Sequence, residues 1–150
     1  MSDMYEADFH LWTEHQVELL RRRAAGELVN EAELDWLNIA EEIQSVGANT
    51  RRELRNRLAR LLQHLLKWQY QPDLRSRSWR LTILEQRDEI EELLAENPSL
   101  RGRLPEMFGA AYARGRRWAE TETGLLSLPE DPPFGLEEVL LGALPGQEGV

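Results

Sequence analysis

The sequence predicts an all-α fold: an antiparallel helical bundle of about five helices plus a short C-terminal helix. Apolar residues recur at three- and four-residue spacing along most of the chain. Helix-capping and helix-stopping residues punctuate those stretches at short intervals, which favours antiparallel neighbours. Strand-like alternation is absent up to the loop near Leu125. The 150 residues suffice for one core, so residues 1–150 read as a single helical domain, with a core of about 5–145 and a frayed tail.

A first helix is expected from about Ala7 to Ala25, with Phe9, Trp12, Gln16 and Leu19 or Leu20 along one face, and Gly26 ends it. Asn30 followed by Glu33 has the chemistry of a capping box and opens a second helix that stops at Gly47. Its core stripe is Trp36, Ile39, Ala40, Ile43 and Val46. Thr50 and Glu53 repeat the capping signal and start the longest helix, to about Tyr70, with Leu54, Leu58, Leu61, Leu62 and Leu65 inward. Pro72 prevents its continuation. Ser76 or Ser78 caps a fourth helix with Trp79, Ile83, Ile90, Leu93 and Leu94 inside, ending near Asn97-Pro98. Ser99 opens a fifth, kinked or split at Pro105, which packs through Met107, Phe108, Ala111, Tyr112 and Trp118 and stops at Thr123-Gly124. The stretch SLPEDPPFG is an extended loop, and LEEVLLGAL closes the chain as a short helix.

Charge divides the chain into three blocks. Residues 1–50 carry 3 basic and 11 acidic groups, residues 51–87 carry 10 and 3, and residues 88–150 carry 5 and 13. The net charge of −9 argues against nonspecific nucleic-acid binding by the whole surface, so any such contact falls on the local basic centre. With no cysteine, disulfides, thiolate nucleophiles and cysteine-ligated zinc are excluded. An acidic N-terminus without a signal-like pattern and the lack of a long apolar run give the expectation of a soluble cytoplasmic protein with no membrane contact.

The densest chemistry lies in HLLKWQYQPDLRSRSWR, residues 64–80. Folding successive helices back as hairpins places Arg51 and Arg55 opposite Glu96 and Glu92. It also sets Glu42 near Arg52 or Arg55, and Arg75, Arg77 and Arg80 beside Glu122, Glu120 and Arg117. Read this way, the arginines are a charge lattice that fixes helix register, and Arg77 pairs with Glu120 or Glu122. The functional alternative starts from Arg57, Arg60, His64 and Lys67, a stripe at three- and four-residue spacing. It continues into Arg75, Arg77, Trp79 and Arg80 at the start of the fourth helix, where backbone donors and arginine forks suit an anion. Trp36, Trp68, Trp79 and Trp118 project toward one end of the bundle, as core or as an interaction patch. His10 and Glu14, with Glu6, align on one helix face as metal-ligand candidates without a complete ligand set, and no metal or cofactor is expected.

The segments YEADFHLWTEHQVELL, LNIAEEIQSVG, LLQHLLKWQYQPDLRSRSWRLTI, NPSLRGRL and ETGL occur in an order that resembles the bacterial family catalogued as domain of unknown function 29. The likeness covers about residues 5–145, and HLLKWQYQP followed by RSRSW is its most specific part. It implies a helical fold and a soluble bacterial setting, and it assigns no functional residue. The residues favour a non-enzymatic module that binds a protein partner or self-associates. An anion or nucleic-acid binder using segment 57–80 comes second, and a metal-dependent hydrolase third.

Overall fold

The computed structural model describes residues 2–144, with side chains from residue 4 onward. Its helices are α1 (Ser2–Ala7), α2 (Phe9–Ala24), α3 (Trp36–Tyr70), α4 (Arg77–Glu96), α5 (Leu104–Thr123) and α6 (Leu136–Leu141). No strand occurs among the described residues, and none of these helices is long and apolar enough to cross a membrane. The chain gathers into two units, Met1–Asn49 and Thr50–Val150.

In the N-terminal unit the helix expected over 7–25 is α2, capped by Asp8, whose carboxylate accepts the Leu11 N–H at 3.0 Å, and the short α1 precedes it. Trp12, Leu19 and Leu34 are its buried apolar residues, and Gln16 is buried beside them. The Gln16 amide donates to the Glu33 carbonyl at 3.0 Å and accepts the Asp35 N–H at 2.9 Å, so it satisfies backbone that no helix serves. Tyr5, Phe9 and Trp12 pack ring against ring at 4.8–5.6 Å.

The second and third expected helices are one. Asn30 caps only a 3-10 turn, Glu31–Glu33, and α3 then runs 35 residues without interruption through Gly47, Asn49 and Thr50. The Asp35 carbonyl receives the first helical N–H, that of Ile39, at 2.9 Å, and its carboxylate accepts from the Trp12 indole at 3.0 Å and from the Asn38 amide at 2.8 Å. These hydrogen bonds, Asn38 first, hold the Asp35 carboxyl below its ordinary pKa. Asp35, just before α3, bonds Trp12 of α2, and Glu42 on α3 accepts from the Tyr5 hydroxyl of α1. The expected core stripe corrects accordingly: Trp36, Ala40, Ile43 and Val46 are exposed, and Ile39 is half-buried.

In the C-terminal unit the second half of α3 supplies the core, with Leu54, Leu58, Leu61, Leu62 and Leu65 all buried. After Tyr70 the chain turns through a 3-10 segment, Pro72–Leu74, and the Ser76 hydroxyl accepts the Trp79 N–H at 3.2 Å to cap α4. Arg57 lies 3.7 Å from Glu89 and the Lys67 ammonium stands over Trp79. These pairs make α3 and α4 antiparallel in a register within one residue of that expected from Arg51 opposite Glu96. The fifth helix begins later than Ser99, because Pro98–Arg103 is 3-10. Pro105 sits in the first turn of α5, where its missing N–H has no helical partner to lose, so it does not kink the helix.

Going up the chain, α5 follows α3 in the same direction: Arg114 donates to Asn56, Gly115 lies on Ala59, and Glu122 meets Gln63 and Lys67. Gly124, at φ +77°, ends α5 in the left-handed conformation. The proline loop that follows is tied down at the Pro129 carbonyl, which accepts from the Tyr112 hydroxyl at 2.5 Å and from Arg116 at 3.5 Å. The closing helix stops at Leu141 rather than Leu144. Arg87 donates to the carbonyls of Val139 at 3.0 Å and Glu138 at 3.3 Å in its last turn. The tail expected to fray, 145–150, lies outside the described residues.

A methyl group at Gly115 would sit 2.5 Å from the Ala59 carbonyl oxygen and 3.1 Å from Leu62 Cβ, both on α3. Gly109, on the same helix, has open space in that direction. Gly115→Ala is therefore expected to lose about 1–3 kcal/mol despite its gain in helix propensity. Gly109→Ala should instead gain roughly 0.5–1 kcal/mol. Urea denaturation of the two variants checks the opposite signs.

Candidate functional site

Eight consecutive residues of α3, Leu61 to Trp68, are buried. A helix enclosed by neighbours on every side has no face left for its polar residues, so Gln63, His64 and Lys67 go inside with the leucines. Lys67, the only lysine in the sequence, is 4% exposed. Its ammonium donates to Glu122 Oε1 at 2.7 Å and lies 4.5 Å from the centre of the Trp79 ring. Gln63 donates to the other carboxylate oxygen, Oε2, also at 2.7 Å. One half-exposed carboxylate on α5 therefore satisfies two buried donors on α3. The Lys67 hydrogen bond, ahead of the other influences, holds the Glu122 carboxyl below its usual pKa.

His64 Nδ1 lies 3.0 Å from the Arg60 carbonyl one turn back. A carbonyl only accepts, so this nitrogen carries the proton. Burial, the largest influence, pushes the imidazole pKa below 6.5 with help from the Lys67 and Arg60 charges, against the Arg60 carbonyl hydrogen bond and Glu122. His64 is thus a neutral imidazole at pH 7.

The remaining basic residues divide into engaged and open groups. Arg57 pairs with Glu53 at 3.1 Å and with Glu89 at 3.7 Å. Arg75 donates to the Trp68 carbonyl at 2.8 Å with its guanidinium 5.1 Å from the Trp68 ring. Arg60 is exposed above Trp118 at 5.9 Å. Arg77 and Arg80 are exposed, without ion pairs among the described residues. Arg80 lines a 230 Å³ hollow with Ile83, Leu84, Arg87 and Leu144, and a second hollow of 320 Å³ adjoins it at Leu84 and Arg87.

The charge lattice forms differently from the hairpin expectation. Arg77 does not meet Glu120 or Glu122, because Glu122 is held by Lys67 and Gln63, and Glu120 pairs with Arg116 on its own helix at 3.5 Å. Glu42 and Arg52 or Arg55 do not face each other across a hairpin, since all three lie on α3. The tryptophans do not share one end. Trp36 and Trp68 occupy opposite ends of α3; Trp68 is buried, Trp79 and Trp118 are half-buried, and Trp36 is exposed.

His10 and Glu14 stand 4.0 Å apart on the exposed face of α2. Among the described residues no group of three or more His, Asp or Glu side chains could hold a metal.

Three features were not read from the sequence. Tyr5 donates to Glu42, and this hydrogen bond, foremost, pushes the phenol pKa up to about 12. Gly115 and Ala119 are buried on α5 in line with the expected packing residue Ala111, four residues apart, and that small-residue spacing was a legible signal. The exposed apolar positions at the start of α3 had no such signal, because a stripe looks the same covered or bare.

The family model described as "Domain of unknown function DUF29" matches residues 4–143. No curated protein and no solved structure matches the chain.

Two outcomes test the polar cluster. Glu122→Gln leaves the Lys67 ammonium buried beside a neutral group and should cost about 1–3 kcal/mol, below the ~3–5 of a fully buried pair because Glu122 is half-exposed. Lys67→Met, which removes the charge and keeps the volume, should cost less, and equilibrium denaturation ranks the two. For His64 the unfolded chain takes up a proton before the folded one does. Stability should therefore fall as pH drops through 6.5 toward the depressed folded value, and be fully present above 6.5. In His64→Gln that part of the pH slope should vanish, as read from melting temperatures across the range.

Proposed function

This chain belongs to the DUF29 family, and we propose that it is a non-enzymatic interaction module of a bacterial cytoplasm that docks a protein partner on the first half of α3. One observation carries the reading. Trp36 is 51% exposed, Leu37 86% and Ile43 68%, all within the first eight residues of the helix. Trp36 and Ile43, two turns apart, share a face. Scattered exposed apolar residues are ordinary; a tryptophan, a leucine and an isoleucine on two turns are a concentrated apolar surface. Tryptophan is also the residue type that most often anchors a protein interface.

Charge supports a partner of particular chemistry. Glu33 and Glu41 are exposed beside this stretch, without ion pairs among the described residues, and residues 1–50 are acidic overall. A partner presenting an apolar ridge with a basic rim fits them. The anion-binding alternative keeps Arg60, Arg77 and Arg80 as open cations, since Arg57, Lys67 and Arg75 are already engaged within the C-terminal unit.

Affinity purification of the tagged full chain from its native host tests the reading against Trp36→Ser/Ile43→Ser. A protein recovered in stoichiometric amount with the parent chain should drop by about tenfold or more with the variant, roughly 1.4 kcal/mol of binding, at unchanged circular dichroism. Equal recovery from both would remove α3 as the docking face.

A further inference from the structure

The exposed face of α4 carries a charge pattern that complements itself. Arg77, Leu81, Leu84, Asp88 and Glu91 follow one another at alternating spacings of four and three, the seam of a coiled coil, and all five are exposed. Leu81 is 54% exposed and Leu84 56%. The seam is basic at its start, apolar in the middle and acidic at its end. Neither Arg77 nor Asp88 has an ion pair among the described residues, whereas Arg57, Lys67 and Arg75 are engaged.

We propose that α4 is a self-association surface, on which a second copy of this chain packs its own α4 antiparallel about a two-fold axis. In an antiparallel pair, seam positions meet in layers of constant register. The register that sets Leu81 against Leu84 of the second copy also sets Leu84 against its Leu81. In the same register Arg77 lies opposite Asp88 of the second copy, at both ends of the interface. A shift by one heptad places Leu84 on Asp88 in one direction and Leu81 on Arg77 in the other, and either loses both leucine layers, so a single register satisfies apolar and charged positions together. A two-fold pairing needs only that one patch be self-complementary, and this face is. Leu141, 76% exposed on α6, lines the hollow beside Leu84 and extends the apolar middle of the surface. Glu91 already holds Arg101 at 3.0 Å in an exposed pair, so the specificity of the contact resides in Arg77 and Asp88.

The pairing is independent of the reading of α3 as a docking face, and its test separates them. Sedimentation of the full chain should give a dimer that dissociates on dilution. Leu84→Glu should be monomeric at all concentrations, with unchanged circular dichroism and melting temperature. Arg77→Asp and Asp88→Arg each bring like charges together and should each be monomeric alone. Mixed in equal amounts they should form a one-to-one heterodimer, and the double variant Arg77→Asp/Asp88→Arg should dimerise as the parent chain does. Trp36→Ser should leave the dimer intact. A parent chain that stays monomeric at its highest soluble concentration overturns the proposal, and so does a dimer that persists in Leu84→Glu. Single charge reversals that dimerise alone, or a mixture that stays monomeric, overturn the register.

Discussion

The C-terminal unit depends on how closely the backbone of α5 approaches α3. At Gly115 the Ala59 carbonyl takes the space of a side chain, and Ala111 and Ala119 continue the small-residue strip one turn to either side. This contact sets the height of α5 along α3 and thereby every polar link between them. Asn56 with Arg114 and Gln63 with Glu122 fall about two turns apart on both helices because the helices run side by side in the same direction. A larger residue at 115 would lift the Glu122 carboxylate away from two donors that have no water to fall back on.

The buried polar group at the end of α3 selects an arrangement more than it stabilises one. Desolvating an ammonium costs several kcal/mol, and an ion pair recovers that only with good geometry. Lys67 has such geometry: a 2.7 Å hydrogen bond below and an aromatic face at 4.5 Å. Because Trp79 comes from α4 and Glu122 from α5, the ammonium is satisfied only when both helices stand in the correct register. Leucine packing tolerates a slide of one helix along another far better than this charge does. Lysine suits the position as a compact point charge, where a guanidinium would need a wider, planar slot.

Much of the fold was legible because local chemistry dictated it. Ser76 caps α4, Pro72 stops α3 and Gly124 terminates α5 as their residue types require. The reading failed where local chemistry was overruled. Gly47, Asn49 and Thr50 resemble a break, yet glycine inside a helix costs only about 1 kcal/mol, which a continuous 35-residue element absorbs. Asn30 does cap, but only a 3-10 turn, because Asp35 is held by Trp12 and Asn38 and starts the helix instead. For the basic segment, the sequence located the cations and not their partners. Hairpin reasoning pairs sequential helices, whereas Lys67 is answered from α5, two helices on.

The single lysine has a chemical consequence. Among the described residues every exposed basic side chain is an arginine or a histidine, and the one ε-amine is enclosed by Trp79 and Glu122. Guanidinium groups do not react under the mild acylating conditions that modify free amines, and an ammonium locked in an ion pair has no lone pair to offer. The folded surface is therefore inert, at its lysine side chains, to acetylation and to amide-forming tags. Acylation at Lys67 follows only when α4 or α5 lifts from α3, which makes its amine a built-in clock for the opening of the C-terminal unit.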